Sequence, residues 1–478
     1  MKTIPPLIFL GACLAPCSFA ELSLAQDFQG EGTRLSMGCG GKFSFSLIAN
    51  CGELLFTDHP LHIAVGSLAP QNGFGAGAAL VGHWTTTRWR NSWDVDAVAA
   101  PSGSWRAGAY LTFVHTGGPA SGSDVVVNRG RPQPGNNPAI DIMQEMPVFH
   151  LYSETDSLNK LLFFGLGPSS TEAGKTYFGL RETVSGGNLV WPLFQKSKAL
   201  QPLHANILLE ANSRYVQTRS STGQSSPSIE QLYDPSVVLT SGAFGQTGEA
   251  IRLGPQFASG HVQLNYLVNY QQYFSPGSKN SFQRFTADLS HQFPIYQNYQ
   301  PPATRSFNGP DECSTSAQDS DHKYPPLIPP SASRNLTGSF GLRFFLSESF
   351  LPAGNTEPFY FQPTLGGSDI NGSPVLASYQ DYRFRAPNVM FFRASFEHSI
   401  YKWPVGFTAM VDEGKAALQR SDIDFSHLSH SYSAGLTLRA GGFPLVYLLF
   451  SWGGHEGTHT TVSANSSLLG GGARPSLF

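Results

Sequence analysis

The sequence is poor in charge and contains no long apolar run. Only 13% of its 478 residues are Asp, Glu, Lys or Arg, and the formal net charge at pH 7 is −3. This balance gives no electrostatic basis for binding nucleic acid. No apolar run reaches the roughly 18 residues that a transmembrane helix needs. A membrane protein with this sequence would therefore have to cross the bilayer with strands.

The sequence motifs of common enzymes and cofactor sites are also missing. The chain has no G-x-S-x-G, no G-x-x-x-x-G-K-[ST] phosphate loop and no G-x-G-x-x-G before a helical pattern. We therefore expect no enzyme activity, no nucleotide and no other cofactor. A candidate metal cluster and a candidate calcium loop are better explained as polar turns, because neither has a complete ligand set. The first consists of Asp422, Asp424, His427 and His430, and the second is Asp369–Gly372.

The first 20 residues have the pattern of a secretory signal. Lys2 is the positive start, Leu7–Leu14 the apolar centre and Ser18–Ala20 a small-residue cleavage site. A rival interpretation takes Leu10–Cys13 as a lipoprotein box with an acylated cysteine. Both interpretations predict export from the cytoplasm.

Export places the remaining cysteines in a compartment that permits disulfides. After removal of an ordinary signal the chain keeps Cys39, Cys51 and Cys313. Cys39 and Cys51 can close a short loop, and three unpaired thiols fit the sequence equally well.

What the chain does have is glycine, phenylalanine and tyrosine, with 50, 35 and 17 residues, which favours strands and turns. Four segments of ten or more residues alternate between apolar and polar side chains. Strands of soluble sandwiches are usually about five or six residues long, whereas strands that cross an outer membrane have this greater length and period. The sequence therefore predicts an all-β transmembrane antiparallel barrel of about sixteen strands. The four segments are 203–217, 261–274, 281–291 and 335–347.

Charged side chains in such strands should face the lumen, because a charge facing lipid costs about 2–4 kcal/mol near the midplane. The same alternation predicts shorter strands elsewhere, among them 147–154, 160–165, 176–183 and 188–194. The predicted inward charges are Glu210, Arg214, Arg284, Asp288, Arg343, Arg393 and Glu397.

Three parts of the chain follow from these patterns. Residues 1–20 form the signal peptide, 21–73 an N-terminal extension and 74–478 the barrel. Two stretches rich in turn residues, 116–146 and 294–334, are predicted as long loops. Because barrels of this class carry their longer loops on the outside, we assign both loops to the outer surface.

One region resembles a known family. The string LGGSD…LASYQDYRFR and the later MVDEGK segment at Met410–Lys415 resemble the lid loop and following strands of the bacterial surface antigen family, the BamA- and TamA-type outer-membrane barrels. The family's Leu/Val-Arg-Gly-Tyr/Phe core falls on Leu376–Tyr379, where Ala377 replaces the arginine. The aromatic-x-Asp-x-Gly motif falls on Met410–Gly414 and keeps Asp412 and Gly414. Residues 21–73 are too short for one of the POTRA modules that these proteins usually carry.

The resemblance implies insertion of proteins into the bacterial outer membrane, or translocation across it. The partners would then be the lipid bilayer and unfolded outer-membrane or secreted proteins. The resemblance also implies a lateral seam between first and last strands, which we place at Ala76 and Gly77 and at His459 and Thr460. The alternative is a passive diffusion pore or a purely structural barrel.

In the family the lid arginine pairs with an acidic residue on the barrel wall. Here Ala377 cannot do so, and Asp412 occupies the acidic position. Arg383 and Arg385 share the register of the inward-facing residues of the next strand. We therefore predict that Arg385 or Arg383 pairs with Asp412 and holds the loop that contains Tyr379 in the lumen.

Overall fold

The computed structural model describes Thr33, Ser36 and most of the chain from Leu61 to Ala464. Within that stretch the description leaves out residues 87, 116–145, 196, 198, 222–224, 259–260, 278, 298–334, 369–373, 401–404, 441–442 and 455. The chain divides into a small unit, Met1–His62, and a large one, Ile63–Phe478. The predicted signal peptide, all five cysteines and Asp369–Gly372 lie outside the described residues. No helix in the described part of the chain is long and apolar enough to cross a membrane.

The large unit is one antiparallel sheet of 17 strands, of which β9 has only two residues. The other sixteen form a meander in which each pairs with the next along the chain, with β8 joined to β10 and β12 to β15. This confirms the predicted all-β antiparallel fold of about sixteen strands. The sheet strands are β1 Leu61–Ser67, β2 Phe74–Thr85, β3 Trp89–Ala99, β4 Trp105–His115, β5 Val148–Phe163, β6 Thr176–Pro192, β7 Asn206–Ser220, β8 Ser241–Leu253, β9 Gln256–Phe257, β10 Val262–Phe274, β11 Phe282–Gln297, β12 Asn335–Phe350, β15 Asn388–Ser399, β16 Val405–Ala417, β17 Ser429–Ala440, β18 Phe443–Gly454 and β19 Gly457–Ala464.

The remaining elements are short. Two-residue strands β13 Thr364–Leu365 and β14 Phe384–Arg385 pair with each other outside the large sheet. The helical elements are single turns, at Glu172–Gly174, Gln201–Leu203, Ile229–Gln231, Pro235–Val238, Phe359–Phe361 and Arg420–Asp422.

The sheet begins earlier than the sequence predicts. Strand β1 lies inside the predicted extension 21–73, and it pairs with β2. Strands β5 and β6 are longer than predicted. Strand β5 joins the predicted segments 147–154 and 160–165, and β6 joins 176–183 and 188–194. In β6 the joining stretch contains Gly186 and Gly187, which stay in register opposite Tyr152 and Leu151 of β5. Turn-forming residues therefore do not interrupt a strand whose neighbours pair with it on both sides.

The two faces of the sheet have opposite character. Polar and charged side chains are buried on the inner face, including Asp96, Glu210, Asn269, Gln271 and Arg393. Large apolar side chains on the outer face are exposed on strands from β3 to β19, and examples are Val95, Leu209, Ile251, Phe407 and Phe450. This is the inverse of a soluble protein, whose apolar side chains fill the interior. The alternation predicted from the sequence is confirmed.

The connections leave the sheet at two ends. One end is where β12 finishes and β15 starts. We call it the plug end, after the segment between these two strands that is described below, and we call the opposite end the far end. Because the strands alternate in direction, β4–β5 and β11–β12 are connected at the far end. The two loops that the sequence assigns to the outside therefore share one end, and the second is shorter than predicted, since Pro294 still pairs with Ser339. Most of their residues lie outside the described part of the chain.

The sheet is rolled around the segment that connects β12 to β15, Leu351–Pro387, which we call the plug. Phe359 of the plug contacts Phe163 of β5, with ring centroids 5.1 Å apart. Phe361 lies against Phe244 of β8, at 4.9 Å. Since β6, β7, β8, β10 and β11 separate β5 from β12 in the sheet, only a curved sheet brings both strands to one segment.

Candidate functional site

The plug is a folded structure held by its own backbone. Its strands β13 and β14 pair, and the Gly366 and Gly367 amides donate to the carbonyls of Val375 and Leu376, at 3.1 and 3.2 Å. Gly366 and Gly367 have φ of 112° and 62°, a region that favours glycine. A Cβ on Gly367 would lie 2.5 Å from the Asp381 amide nitrogen. The two glycines of the LGGSD string are therefore needed for the plug to fold back on itself.

Apolar side chains anchor the plug to the inner wall in two clusters. The first surrounds Phe359 and Tyr382 with residues of β5, β6 and β7, and the second surrounds Leu376 and Tyr379 with residues of β15 and β16. Phe359 contacts Phe178 edge to face at 5.3 Å, in addition to Phe163. Burying aromatic side chains in this way contributes more than any single polar contact.

Asp412 lies at the centre of the most buried polar contact between plug and wall. Arg393 of β15 stands directly opposite it in register and donates from Nε to Oδ1 and from Nη2 to Oδ2, each at 2.8 Å. The two side chains are 5% and 1% exposed. Arg393 Nη2 also donates to the Pro374 carbonyl at 2.7 Å, and the Leu376 amide donates to Asp412 Oδ2 at 3.1 Å. The pair belongs to the wall and holds the plug through backbone groups.

The predicted pairing of Asp412 with Arg385 or Arg383 is therefore wrong in its arginine. Arg393 is the cross-strand neighbour of Asp412, so the register of β15 and β16 brings the two side chains together. Both predicted arginines belong to the plug. The wall supplies the guanidinium that the family's lid arginine would supply, and this explains how the loop is held despite Ala377.

Arg383 binds a different carboxylate. It pairs with Glu456, in the turn between β18 and β19, and the two side chains are 5% and 9% exposed. It also donates to Ser170 in the β5–β6 connection, to Oγ at 2.8 Å and to the carbonyl at 2.7 Å. Its guanidinium lies over the rings of Phe164 and Phe384, at 5.1 and 4.8 Å from their centroids. Neither Glu456 nor Ser170 stands out in the sequence.

Arg385 is buried inside the plug and binds backbone oxygen. It donates to the carbonyls of Phe359 and Gln362, at 2.8 and 3.5 Å, and lies over the Phe359 ring. Burial lowers the pKa of Arg385 to about 10, so the group keeps its charge at neutral pH. Its own carbonyl accepts from the Gly167 amide at 2.7 Å. Arg385 of β14 thus connects to the Phe359–Gln362 stretch of the plug and to Gly167 of the β5–β6 connection.

Gly414 and Tyr379 mark where the plug fits the wall most closely. A Cβ on Gly414 would lie 3.1 Å from Leu365 Cδ1 and 3.3 Å from Leu376 Cδ1, both of the plug. Tyr379 packs against Gly454, where an added Cβ would lie 2.8 Å from the ring. Both predicted residues are therefore in contact with the plug or belong to it.

A further pair joins the start of the plug to β11. Glu357 is fully buried and forms a salt bridge with Arg284, whose Nη2 also donates to the Phe361 carbonyl at 2.7 Å. Burial raises the pKa of Glu357, and the charge of Arg284 opposes that shift. The predicted inward direction of Arg284 is confirmed.

Other predicted inward charges form pairs on the wall alone. Arg343 and Asp288 make two parallel bonds of 2.9 and 2.7 Å, and Arg214 pairs with Glu182 at 2.9 Å. These contacts do not involve the plug and line the wet interior of the sheet.

The predicted seam residues lie on separate elements. Ala76 and Gly77 belong to β2, where they pair with Ala99 and Val98 of β3. His459 and Thr460 belong to β19 and pair with Ser451 and Phe450 of β18. Because β1 precedes β2, the first strand of the sheet is β1 and not the strand of Ala76. A seam between first and last strands stays a prediction.

The candidate metal residues lie in and beside the β16–β17 connection. Asp424 is bound by Lys415 and accepts from the Ser426 amide and hydroxyl, at 2.9 and 2.6 Å. These hydrogen bonds, that of Lys415 first, lower the pKa of Asp424. Among the described residues no group of three or more His, Cys, Asp or Glu is placed to hold a metal ion.

Comparison with known proteins gives structural matches only. No protein-family model matches the chain, and no curated protein matches it. The chain resembles BamA from Haemophilus ducreyi lacking POTRA domains 1–3, at 10% identity and a TM-score of 0.44, over 84% of this chain and 66% of that one. It also resembles CdiB from Escherichia coli (12% identity, TM-score 0.41, over 85% and 62%) and CdiB from Acinetobacter baumannii (10%, 0.39, over 85% and 56%). The chain thus spans less than two thirds of the length of each of these proteins.

Proposed function

We propose that the chain is a bacterial outer-membrane barrel that inserts proteins into that membrane or moves them across it, with the plug closing its lumen at rest. The observation that carries the proposal is the plug itself. It is bonded to the wall by Arg393, Asp412, Arg383 and Arg284, and it packs on two apolar clusters. A segment held this firmly opposes a permanently open pore.

Placement in the membrane is supported by the outer face of the sheet. Exposed apolar side chains recur there on many strands, while several buried charges of the inner face form pairs, as a bilayer favours. Strand β3 has 11 residues and β6 has 17, so both reach the roughly 9–11 residues that span the hydrocarbon.

Transport by a plugged barrel needs either plug displacement or an opening in the sheet. The family resemblance supports an opening at the seam, where exposed strand edges would bind an unfolded client by β-augmentation. Its clients would be outer-membrane or secreted proteins that present unpaired strands.

The proposal is tested with purified protein in liposomes. An unfolded outer-membrane barrel is added, and its folding is followed by the change in gel migration on boiling. We expect faster client folding than in empty liposomes, and no such gain from a liposome that contains an unrelated porin.

Planar-bilayer recording of the same protein tests the alternative. The proposal expects a low resting conductance that rises when residues 359–386 are replaced by a Gly-Ser linker. A steady, large conductance of the intact chain, without effect on client folding, would instead identify a passive pore.

A further inference from the structure

Six consecutive plug residues reach both ends of the strand meander. Between 378 and 383 the plug contacts β17, the β18–β19 turn and the β1–β2 turn. The Ser378 amide donates to Ser431 Oγ at 2.9 Å, which fixes this stretch to β17. The two neighbouring contacts involve hairpins that lie at opposite ends of the chain's order in the sheet.

The contact with the last hairpin is made by Arg383. Its salt bridge with Glu456 is shielded, and its bonds to Ser170 prevent it from following Glu456 if that turn moves. The same hairpin packs against the plug at Gly454. Because Gly454 has no side chain, the Tyr379 ring can lie directly against its backbone. The β18–β19 hairpin is therefore held to the plug by a charge pair and by an aromatic contact.

The contact with the first hairpin is made by Asp381, two residues earlier. Gln71, in the β1–β2 turn, donates from Nε2 to Asp381 Oδ2 at 2.5 Å. The backbone of Gln71 is in the left-handed region, with φ of 70°. Asp381 therefore binds the first hairpin, and Arg383, two residues later, binds the last one.

We propose that Asp381 and Arg383 form a strap that fastens the β1–β2 and β18–β19 hairpins to each other through the plug. The geometry links two events: when the plug leaves, the two hairpins lose their common anchor, and when the hairpins separate, the plug loses two of its polar contacts. The strap is a property of the barrel and holds whatever the barrel transports.

The strap is tested by measuring the distance between the two hairpins. Spin labels are placed at Ala76→Cys of β2 and Thr460→Cys of β19, both exposed, in a chain whose five cysteines are changed to serine. The labelled protein is reconstituted in liposomes and its distance distribution is recorded by pulsed electron resonance. The strap is broken by Asp381→Ala, which removes the acceptor of the Gln71 bond, combined with Arg383→Gln, and separately by replacing residues 359–386 with a Gly-Ser linker. The matched control is Lys415→Gln, which removes a charge pair with Asp424 of the β16–β17 connection and none of the contacts of Asp381 or Arg383.

We expect a second, longer distance population in both strap variants and an unchanged distribution in the control. An unchanged distribution in both strap variants overturns the proposal, as does an equal change in the control. Because no client is present, these outcomes are independent of whether the protein inserts other proteins. Migration before and after boiling verifies that each variant is folded, and the double point variant keeps the test decisive if the linker variant does not fold.

Discussion

At the scale of single residues, this protein differs from what its sequence motif implies in where the arginine that binds Asp412 is located. The motif implies an arginine on the loop. The guanidinium beside Asp412 comes from Arg393 on the wall, so the charge pair stays intact when the plug moves. Only the bonds to the Pro374 carbonyl and the Leu376 amide must break at this point. Separating a plug here therefore leaves no unpaired charge behind, in contrast to a loop that carries its own arginine.

Replacing the carboxylate should release the plug. Asp412→Asn removes the charge of the group that accepts the Leu376 amide hydrogen bond from the plug, and a hydrogen bond to a charged group typically contributes about 1.5–3 kcal/mol. We expect more frequent conductance openings in planar bilayers than for the unmodified chain. Asp288→Asn is the control, because it breaks the bidentate pair with Arg343 on the wall without touching the plug. If both variants open equally often, Asp412 has no special role in holding the plug.

We expect plug release to depend on pH through Asp381. Burial raises the pKa of Asp381 above its ordinary value of 3.8, while bonds from Gln71 and Ser368 and the charge of His459 oppose that shift. The raised value means that the protonated form favours the plugged state. This stabilisation is complete below the ordinary pKa and is lost as pH rises through the raised one. The opening frequency should therefore increase with pH over that window.

The measurement is the opening frequency of the chain and of Asp381→Asn between acid and neutral pH. Glu357, whose pKa burial also raises, adds dependence of the same sign in both proteins. The difference between the two profiles isolates Asp381, and identical profiles would contradict the assignment.

At the scale of elements, the fit between plug and wall depends on a glycine. Gly414 of β16 faces the plug, and an added Cβ meets two leucine side chains at 3.1 and 3.3 Å, a distance that forces them to shift. We expect Gly414→Val to raise the opening frequency, with Gly414→Ala between it and the unmodified chain, because overpacking typically costs about 1–3 kcal/mol. The control is Gly245→Val on β8, where an added Cβ meets nothing within 4 Å. Equal effects at the two positions would show that strand propensity, and not the plug, is responsible.

The strands could be predicted from the sequence because period-two alternation is a local property. The partner of Asp412 could also have been found from the paired ends Ser399 and Gly406. Six residues before Ser399 is Arg393, and six residues after Gly406 is Asp412. Glu456 and Gln71 could not, because their contacts with the plug depend on the curvature of the sheet. Strand β1 was missed for a related reason: it is only seven residues long, and its pairing with β2 defines it.

At the scale of the whole molecule, the sheet is a boundary between two solvents. Its inner face carries paired charges and its outer face exposed apolar side chains, an arrangement that fits the proposed membrane location, with lipid covering the outside. Transfer of the barrel to water would expose the outer apolar surface, which the fold cannot bury elsewhere.

A charge on the outer face should destabilise the barrel according to its depth. Val411 is 43% exposed on the outer face of β16, directly before the inward Asp412, and its neighbours across the strands are Ala394 and Tyr432. Val411→Arg should lower the free energy of unfolding in liposomes by about 2–4 kcal/mol if that position lies near the midplane. Ile400→Arg, at the end of β15 and 60% exposed, should cost about 0–1 kcal/mol, as at the interface. Urea unfolding, followed by gel migration without boiling, measures both. Equal and small losses would mean that water, not lipid, covers the outer face at Val411.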